Sequence, residues 1–153
     1  MPLLDCGFVD TATGQAVDSL VQHGPTLWVN IGFDPQFKYG DTDGNPPTSQ
    51  VETVPALLDT GASESCIDEA LAQSIGLPIV DRQMVSGVGG GTEVNIYLGH
   101  IVFPSLQYMQ WGRFAGAKLA DGNQIHRALI GRTMLRTCLM VYDGRVGRVM
   151  LAR

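Results

Sequence analysis

Residues 51–63 read Val-Glu-Thr-Val-Pro-Ala-Leu-Leu-Asp-Thr-Gly-Ala-Ser. The apolar run from Val51 to Leu58 predicts a strand, and Pro55 within it suggests a sheet edge at that point. The strand leads directly to Asp59, and the Thr60-Gly61 pair that follows predicts a tight turn. A carboxylate that only bonds its own turn would also explain this arrangement, so the triplet alone does not establish catalysis.

Further strands are predicted on both sides of this stretch. Thr26 to Phe33 alternates apolar and polar residues, as a half-buried strand does. Two strands, Ile79 to Val85 and Thr92 to Leu98, flank the glycine-rich residues 86–91 and predict a hairpin with a mobile tip. His100 to Tyr108 continues the β pattern.

The last third of the sequence adds short elements. Arg113 to Arg127 is a looser stretch, and Ala128-Leu129-Ile130 is an apolar run that ends at Gly131. Leu139 to Tyr142 and Val146 to Leu151 predict a hairpin across Asp143-Gly144.

Two short helices are expected in this pattern. Glu69 to Ile75 has helical spacing, with Asp68 or Ser65 as the N-cap and Gly76 as the stop. A second helix is expected from Arg132 to Arg136. The sequence therefore predicts a mainly β fold.

Length and composition favour a single domain over residues 1–153. Within it, residues 1–25 are expected to be an N-terminal extension of unclear role, and residues 34–50, rich in Gly, Pro, Asp and Asn, a long exposed loop. The formal net charge is -5 and the pI about 4.9. This acidic balance disfavours nucleic acid and anionic membranes as partners. No apolar run approaches the ~20 residues of a spanning helix, so a soluble, cytoplasmic chain is expected.

The residue spacing does not suggest a cofactor or a metal. The three cysteines have no paired spacing, and the three histidines are scattered, so reduced thiols and no metal ligands are expected. The glycines at 87–91 are not followed by Gly-Lys-Ser/Thr, which excludes a phosphate-binding loop of that type.

Three motifs together resemble the retropepsin-like aspartic protease family. Leu57-Leu58-Asp59-Thr60-Gly61-Ala62-Ser63 resembles its active-site loop. Val85-Ser86-Gly87-Val88-Gly89-Gly90 resembles the flap tip of retroviral members, and Leu129-Ile130-Gly131-Arg132-Thr133-Met134-Leu135 resembles their apolar-apolar-Gly-Arg segment. The motifs occur in the family's order and organise residues from about Thr26 to Tyr142. The helix predicted after the active-site loop is more similar to cellular and bacterial members than to viral ones.

The resemblance implies a closed β-barrel of the acid protease type and a role for each motif. Asp59 would be the catalytic carboxylate, the Thr60 hydroxyl would lock two active-site turns together, and Gly61 would admit the substrate backbone. Ala62 would belong to the site wall. The flap that closes over the substrate would contain Ser86, Gly87, Val88, Gly89 and Gly90, and the structural residues beside the site would be Ile130, Gly131 and Arg132.

One position departs from the viral pattern. Retroviral enzymes have an Asp two residues after the glycine of the triplet, and this chain has Ser63 there. The family's ion pair to Arg132 cannot form at that position, so Arg132 is expected to pair with Glu64 or Asp68, or with neither.

The resemblance implies an aspartic endopeptidase that cleaves peptide or protein substrates without a cofactor. Two carboxylates are needed, because one activates water while the other, protonated, polarises the scissile carbonyl. The chain has one Asp-Thr-Gly triplet, so a homodimer would supply the pair. The alternative is a fold of the same type that binds peptides or partner proteins without cleaving them.

Overall fold

The computed structural model describes residues 3–6, 16–38 and 44–153. These residues form ten strands and three helices, together with short 3-10 turns at Pro104–Leu106 and Ala120–Gly122. The predicted mainly β fold is confirmed. The strands are β1 (Leu3–Cys6), β2 (Thr26–Gly32), β3 (Val51–Leu58), β4 (Cys66–Asp68), β5 (Ile79–Gly87), β6 (Gly90–Phe103), β7 (Tyr108–Ala117), β8 (Ala128–Ile130), β9 (Leu139–Asp143) and β10 (Arg148–Ala152). The helices are α1 (Ala16–His23), α2 (Glu69–Ser74) and α3 (Arg132–Leu135).

Six of the strands pair around a closed ring in the order β2-β3-β8-β4-β7-β6. The ring closes because the end of β6 also pairs with β2, with Ile31 opposite Ile101. The β3–β8 and β4–β7 pairs are parallel and the other pairs of the ring are antiparallel. The side chains that point into the ring are apolar, which explains the alternation predicted for β2: Leu27, Val29 and Ile31 are buried while Trp28 is exposed.

A second sheet of three strands, in the order β1-β10-β9, packs on the same hydrophobic core through Val149 and Leu151. The N-terminal segment takes part in both units. Leu3 to Cys6 pair with β10, and Leu20 of α1 is buried in the core. Residues 1–2 and 7–15 of the expected N-terminal extension lie outside the described residues.

The sequence pattern does not reveal strand β7. The prediction that Arg113 to Arg127 is loose is wrong for residues 113–117, because β7 runs from Tyr108 to Ala117. Gly112 and Gly116 interrupt the alternation there. The prediction of continuous β structure from His100 to Tyr108 is also wrong, since the chain turns at Pro104–Leu106 and Gln107 adopts a left-handed conformation.

Pro55 does not lie at a free sheet edge. It is opposite Trp28 of β2, and its carbonyl accepts from the Arg127 N–H at 2.8 Å. The pairing of β3 with β8 begins one residue later, where Ala56 lies opposite Ala128. A proline is tolerated there because no ladder bond is lost.

The described parts of the 34–50 loop contain no helix or strand, and residues 39–43 lie outside the described residues. Side chains fasten its two ends together. The Asp34 carboxylate accepts from the Thr48 N–H at 2.8 Å, and the Gln50 side chain accepts from the Phe33 N–H at 2.7 Å. The backbone donors of Thr48 and Gln36 lower the pKa of Asp34.

Candidate active site

Asp59 lies where two parallel strands end. It follows β3, and its N–H donates to the Ile130 carbonyl at the end of β8, at 2.9 Å. The side chain is partly exposed, and its Oδ1 accepts from the Gly61 N–H at 2.8 Å. Among the described residues, no hydrogen-bond donor reaches Oδ2. The local turn therefore orients one carboxylate oxygen and leaves the other open to solvent.

Backbone bonds hold the segment after Asp59, residues 60–65. The Ala62 carbonyl accepts from the Arg132 N–H at 2.9 Å. The Ser63 carbonyl accepts twice from Thr133, from its N–H at 3.0 Å and from its hydroxyl at 2.7 Å. The start of α3 is thus fixed directly against the active-site loop, defined here as residues 59–65.

Gly131 is where the two segments approach most closely. A Cβ on Gly131 would lie 2.5 Å from the carbonyl carbon of Glu64, which only a glycine avoids. The Gly131 N–H donates to the buried Ser65 hydroxyl at 3.1 Å, and that hydroxyl donates to Gln110 Oε1 at 2.9 Å. From the sequence, Ser65 is only an alternative helix cap, and no local signal identifies Gln110.

Arg132 bonds the loop itself. Its guanidinium donates to the Thr60 carbonyl at 2.7 Å. Asp68, one of the expected partners, is the N-cap of α2 and accepts instead from the N–H groups of Leu71, Leu119 and Ala120. Within the described residues, Glu64 forms no ion pair with Arg132 either.

The structure brings the Asp59 triplet together with Ala62, Ile130, Gly131 and Arg132, and it places residues 86–90 on a separate element. The strands β5 and β6 form a hairpin in which Gly87 is opposite Gly90 and the two residues Val88 and Gly89 make the turn. Gly90 has a φ of 106°, which favours glycine. In the described part of the chain, no hydrogen bond joins this tip to the active-site loop.

Cys66 lies beside the carboxylate but is not a nucleophile. Burial raises the pKa of its thiol to about 11, and the negative charges of Asp59 and Asp68 act in the same direction. The group therefore stays protonated at neutral pH, and a protonated thiol does not attack a carbonyl.

The described residues contain no group of three His, Cys, Asp or Glu side chains that could hold a metal ion. None of the helices described is long and apolar enough to cross a membrane.

Comparison with known proteins links this geometry to one family. A family model described as "Aspartyl protease" matches residues 43–132, more than half of the chain. The search of curated proteins finds no match. Among solved structures, a retropepsin-like aspartic protease from Rickettsia conorii is 12% identical with a TM-score of 0.52, over 97% of this chain and 89% of that one. The EIAV protease in complex with the inhibitor HBY-793 is 20% identical with a TM-score of 0.47, over 74% of this chain and 86% of that one.

Proposed function

The chain belongs to the aspartyl protease family, and we propose that it is an endopeptidase whose active form is a homodimer with one Asp59 from each subunit. The observation that carries the proposal is the state of Asp59. Its backbone is fixed to β8, one oxygen is oriented by Gly61, and the other is open. That is the arrangement a carboxylate needs to hold a water molecule.

The chemistry uses the two carboxyl groups in different protonation states. The ionised Asp59 takes a proton from the water, whose oxygen attacks the carbonyl carbon of the peptide bond. The protonated Asp59 of the second subunit donates a hydrogen bond to the carbonyl oxygen. Collapse of the tetrahedral intermediate breaks the C–N bond, and the amine leaves with a proton from the pair. One shared proton is required, so the rate should be highest on the acid side of neutrality.

The second copy would dock through the C-terminal hairpin. Strand β9 has a neighbour on only one side among the described strands, and its Leu139, Val141 and Tyr142 are exposed. An exposed apolar strand with an unpaired edge is a surface that another chain can extend. The surface lies close to the active site, because β9 begins four residues after the end of α3 and α3 contacts the loop of Asp59.

The hairpin of β5 and β6 would cover the bound peptide. Met84, Val85 and Val88 on it are exposed. Such side chains would contact apolar residues of the substrate, which predicts preference for extended segments with apolar residues beside the scissile bond. Residues 1–153 would act as one domain, since β1 pairs with β10 and Leu20 is buried in the shared core.

Subunit mixing tests the proposal. Wild-type and Asp59→Asn chains are mixed equally, allowed to exchange, and assayed on a diverse peptide library at fixed total concentration. Random pairing leaves about one quarter of dimers with two aspartates, so activity should fall to roughly that fraction. Asp121→Asn, on an exposed turn, is the matched control and should leave activity unchanged.

Retention of half the activity would show that each chain works alone. A stable dimer that binds peptides and never cleaves them would support the binding-module alternative instead.

A further inference from the structure

The hairpin leaves the ring at a defined point. Strand β6 pairs with β7 only from Ile96 onward, opposite Ala115, and the residues before Ile96 pair with β5 alone. The β5–β6 register also shifts between Ile79 and Asp81, which leaves Val80 as an extra residue. Such a bulge bends the strand that carries it. We define residues 82–95, beyond this bend, as the hairpin arm.

Glu69 connects α2 to the base of the arm. Its Oε1 accepts from Asn95 Nδ2 at 2.6 Å and from the Tyr97 hydroxyl at 2.9 Å. Asn95 in turn accepts from Arg82 Nε at 3.1 Å, so the bonds continue into the facing strand. One carboxylate oxygen thus joins a helix of the body to both strands of the hairpin.

The packing around Glu69 leaves room for its contact with Tyr97. The side chain crosses β7 to reach β6, and it does so at Gly116, where a Cβ would lie 2.8 Å from the Tyr97 ring and 3.4 Å from Glu69. Burial, followed by the bond to Glu69, raises the pKa of the Tyr97 hydroxyl, which therefore remains a donor.

Few other contacts hold the arm. The Arg113–Asp81 pair spans 3.8 Å between partly exposed side chains at the same level, and exposed ion pairs contribute little. Apart from the bond between Asn95 and Glu69, the described chain shows no hydrogen bond from the arm to an element other than β5 and β6. Glu69 is therefore the principal restraint on the arm's angle.

We propose that Glu69 is a positioning residue that sets the resting position of the hairpin arm relative to the ring. Its carboxylate is carried by α2, which follows the active-site loop through β4. The evidence for this restraint is the set of hydrogen bonds among Glu69, Asn95, Tyr97 and Arg82. Its effect on catalysis rests on the function proposed in the preceding section.

Hydrogen exchange of backbone amides tests the restraint without an assay of enzymatic activity. In Glu69→Ala, the paired amides of residues 82–95 should exchange about tenfold faster, as the loss of one charge-assisted bond implies. Amides of β2, β3 and β8 should keep their rates. Glu69→Gln keeps an acceptor oxygen and should give an intermediate rate. Glu93→Gln removes a charge on the exposed arm itself and should have no effect.

A second variant covers the case in which Glu69→Ala fails to fold. Asn95→Ala breaks the same link from the other side and should speed exchange in the arm alone. The double variant should add nothing to the larger single effect. Unchanged arm rates in both single variants would overturn the proposal, and so would equal acceleration in arm and ring, because that would show only a loss of global stability.

The catalytic consequence is read separately with an apolar peptide substrate. A loosened arm should raise KM about tenfold and change kcat less, because the arm contacts bound substrate and not the reacting water. Partial recovery of KM is expected in Glu69→Gln, and a fall in kcat at constant KM would contradict the positioning role. If the wild-type chain cleaves nothing, the proposed function fails while the exchange result still decides the role of Glu69.

Discussion

The active-site loop and the hairpin arm are both exposed and contain glycine, yet they are fixed in different ways. The loop forms hydrogen bonds outside itself, to β8 through Asp59 and to α3 through Ala62 and Ser63. The arm pairs almost entirely with itself, and Glu69 provides its main link to the body. The proposed protease would need a carboxylate held in one place and a cover that moves, and the difference in backbone partners between the loop and the arm would suit those two roles.

The same Gly→Ala substitution should have very different effects on stability at Gly131, which contacts the active-site loop, and at Gly89 in the arm, and this is the largest difference we expect. In Gly131→Ala the new Cβ would meet the backbone of Glu64, which cannot move without breaking the loop. We expect a loss of more than about 3 kcal/mol in the free energy of unfolding, or no folded protein. In Gly89→Ala the Cβ meets no atom of the described residues within 4 Å, and the change in the free energy of unfolding should stay within about 0.5 kcal/mol.

Urea unfolding of both variants measures the difference. A Gly131→Ala protein as stable as Gly89→Ala would show that the loop can relax and is not held as tightly as its contacts indicate.

Much of this framework is predictable from the sequence. The strand that leads to Asp59, the α2 helix with its Asp68 cap and the α3 helix are predicted close to their observed bounds, because alternation, capping residues and glycine stops are local signals. The order of the motifs along the chain also predicts that the segments of Asp59 and Gly131 lie together, and the structure places them in contact.

Other features depend on which segments meet, and no local pattern encodes that. The Arg132 bond to the Thr60 carbonyl replaces a side-chain ion pair with a backbone acceptor, which any residue provides. The contact between Ser65 and Gln110 joins residues 45 positions apart. The strand β7 is not predicted because its glycines remove the alternation of apolar and polar residues. One of them, Gly116, makes room for Tyr97 and Glu69.

The ring of strands that carries both the loop and the arm should become less stable in acid. The loop and the arm should therefore be compared near neutral pH. His100 is fully buried, with Nε2 bonded to the Ser49 hydroxyl at 2.9 Å, and Nδ1 has no hydrogen-bond partner among the described residues. Burial lowers its pKa from 6.5 to about 4, and the Asp34 charge opposes this only in part. The His100 imidazole therefore stays neutral in the folded protein, while in the unfolded chain it takes up a proton below pH 6.5. Stability should fall by on the order of 2 kcal/mol as the pH drops from about 6.5 to 4.

His100→Gln separates this group from the carboxylates. Glutamine can still reach Ser49 but does not titrate, so unfolding free energies measured between pH 7 and 4 should show a shallower slope than in the wild type. Parallel slopes would assign the acid sensitivity elsewhere, for example to His126, whose pKa is also lowered, by burial and by the His23 charge.

The hydrogen bond from Arg132 to the Thr60 carbonyl should contribute less to the free energy of unfolding than the groups discussed above. Because the side chain is exposed, Arg132→Met should cost about 1 kcal/mol of stability, but it frees the carbonyl next to Asp59. We therefore expect kcat/KM to fall about tenfold. Arg136→Met, in the exposed residue that ends the same helix, should leave both quantities unchanged. Equal effects of the two variants would mean that only the general charge of this helix matters.

The smallest effect on stability is expected at the tip of the arm, in Gly89→Val. Within the part of the chain that the structure describes, no atom lies within 4 Å of a Cβ at this position, so the fold should lose no more than about 0.5 kcal/mol. A β-branched residue narrows the backbone angles of the two-residue turn, however, and a stiffer turn should slow closure over the substrate. We expect turnover to fall by about threefold to tenfold while the urea midpoint stays the same. Gly122→Val, in an exposed turn outside the arm, is the matched control and should leave turnover unchanged. If Gly89→Val lowered stability and turnover together, the tip would be part of the folded framework, and the contrast between a fixed loop and a movable arm would not hold.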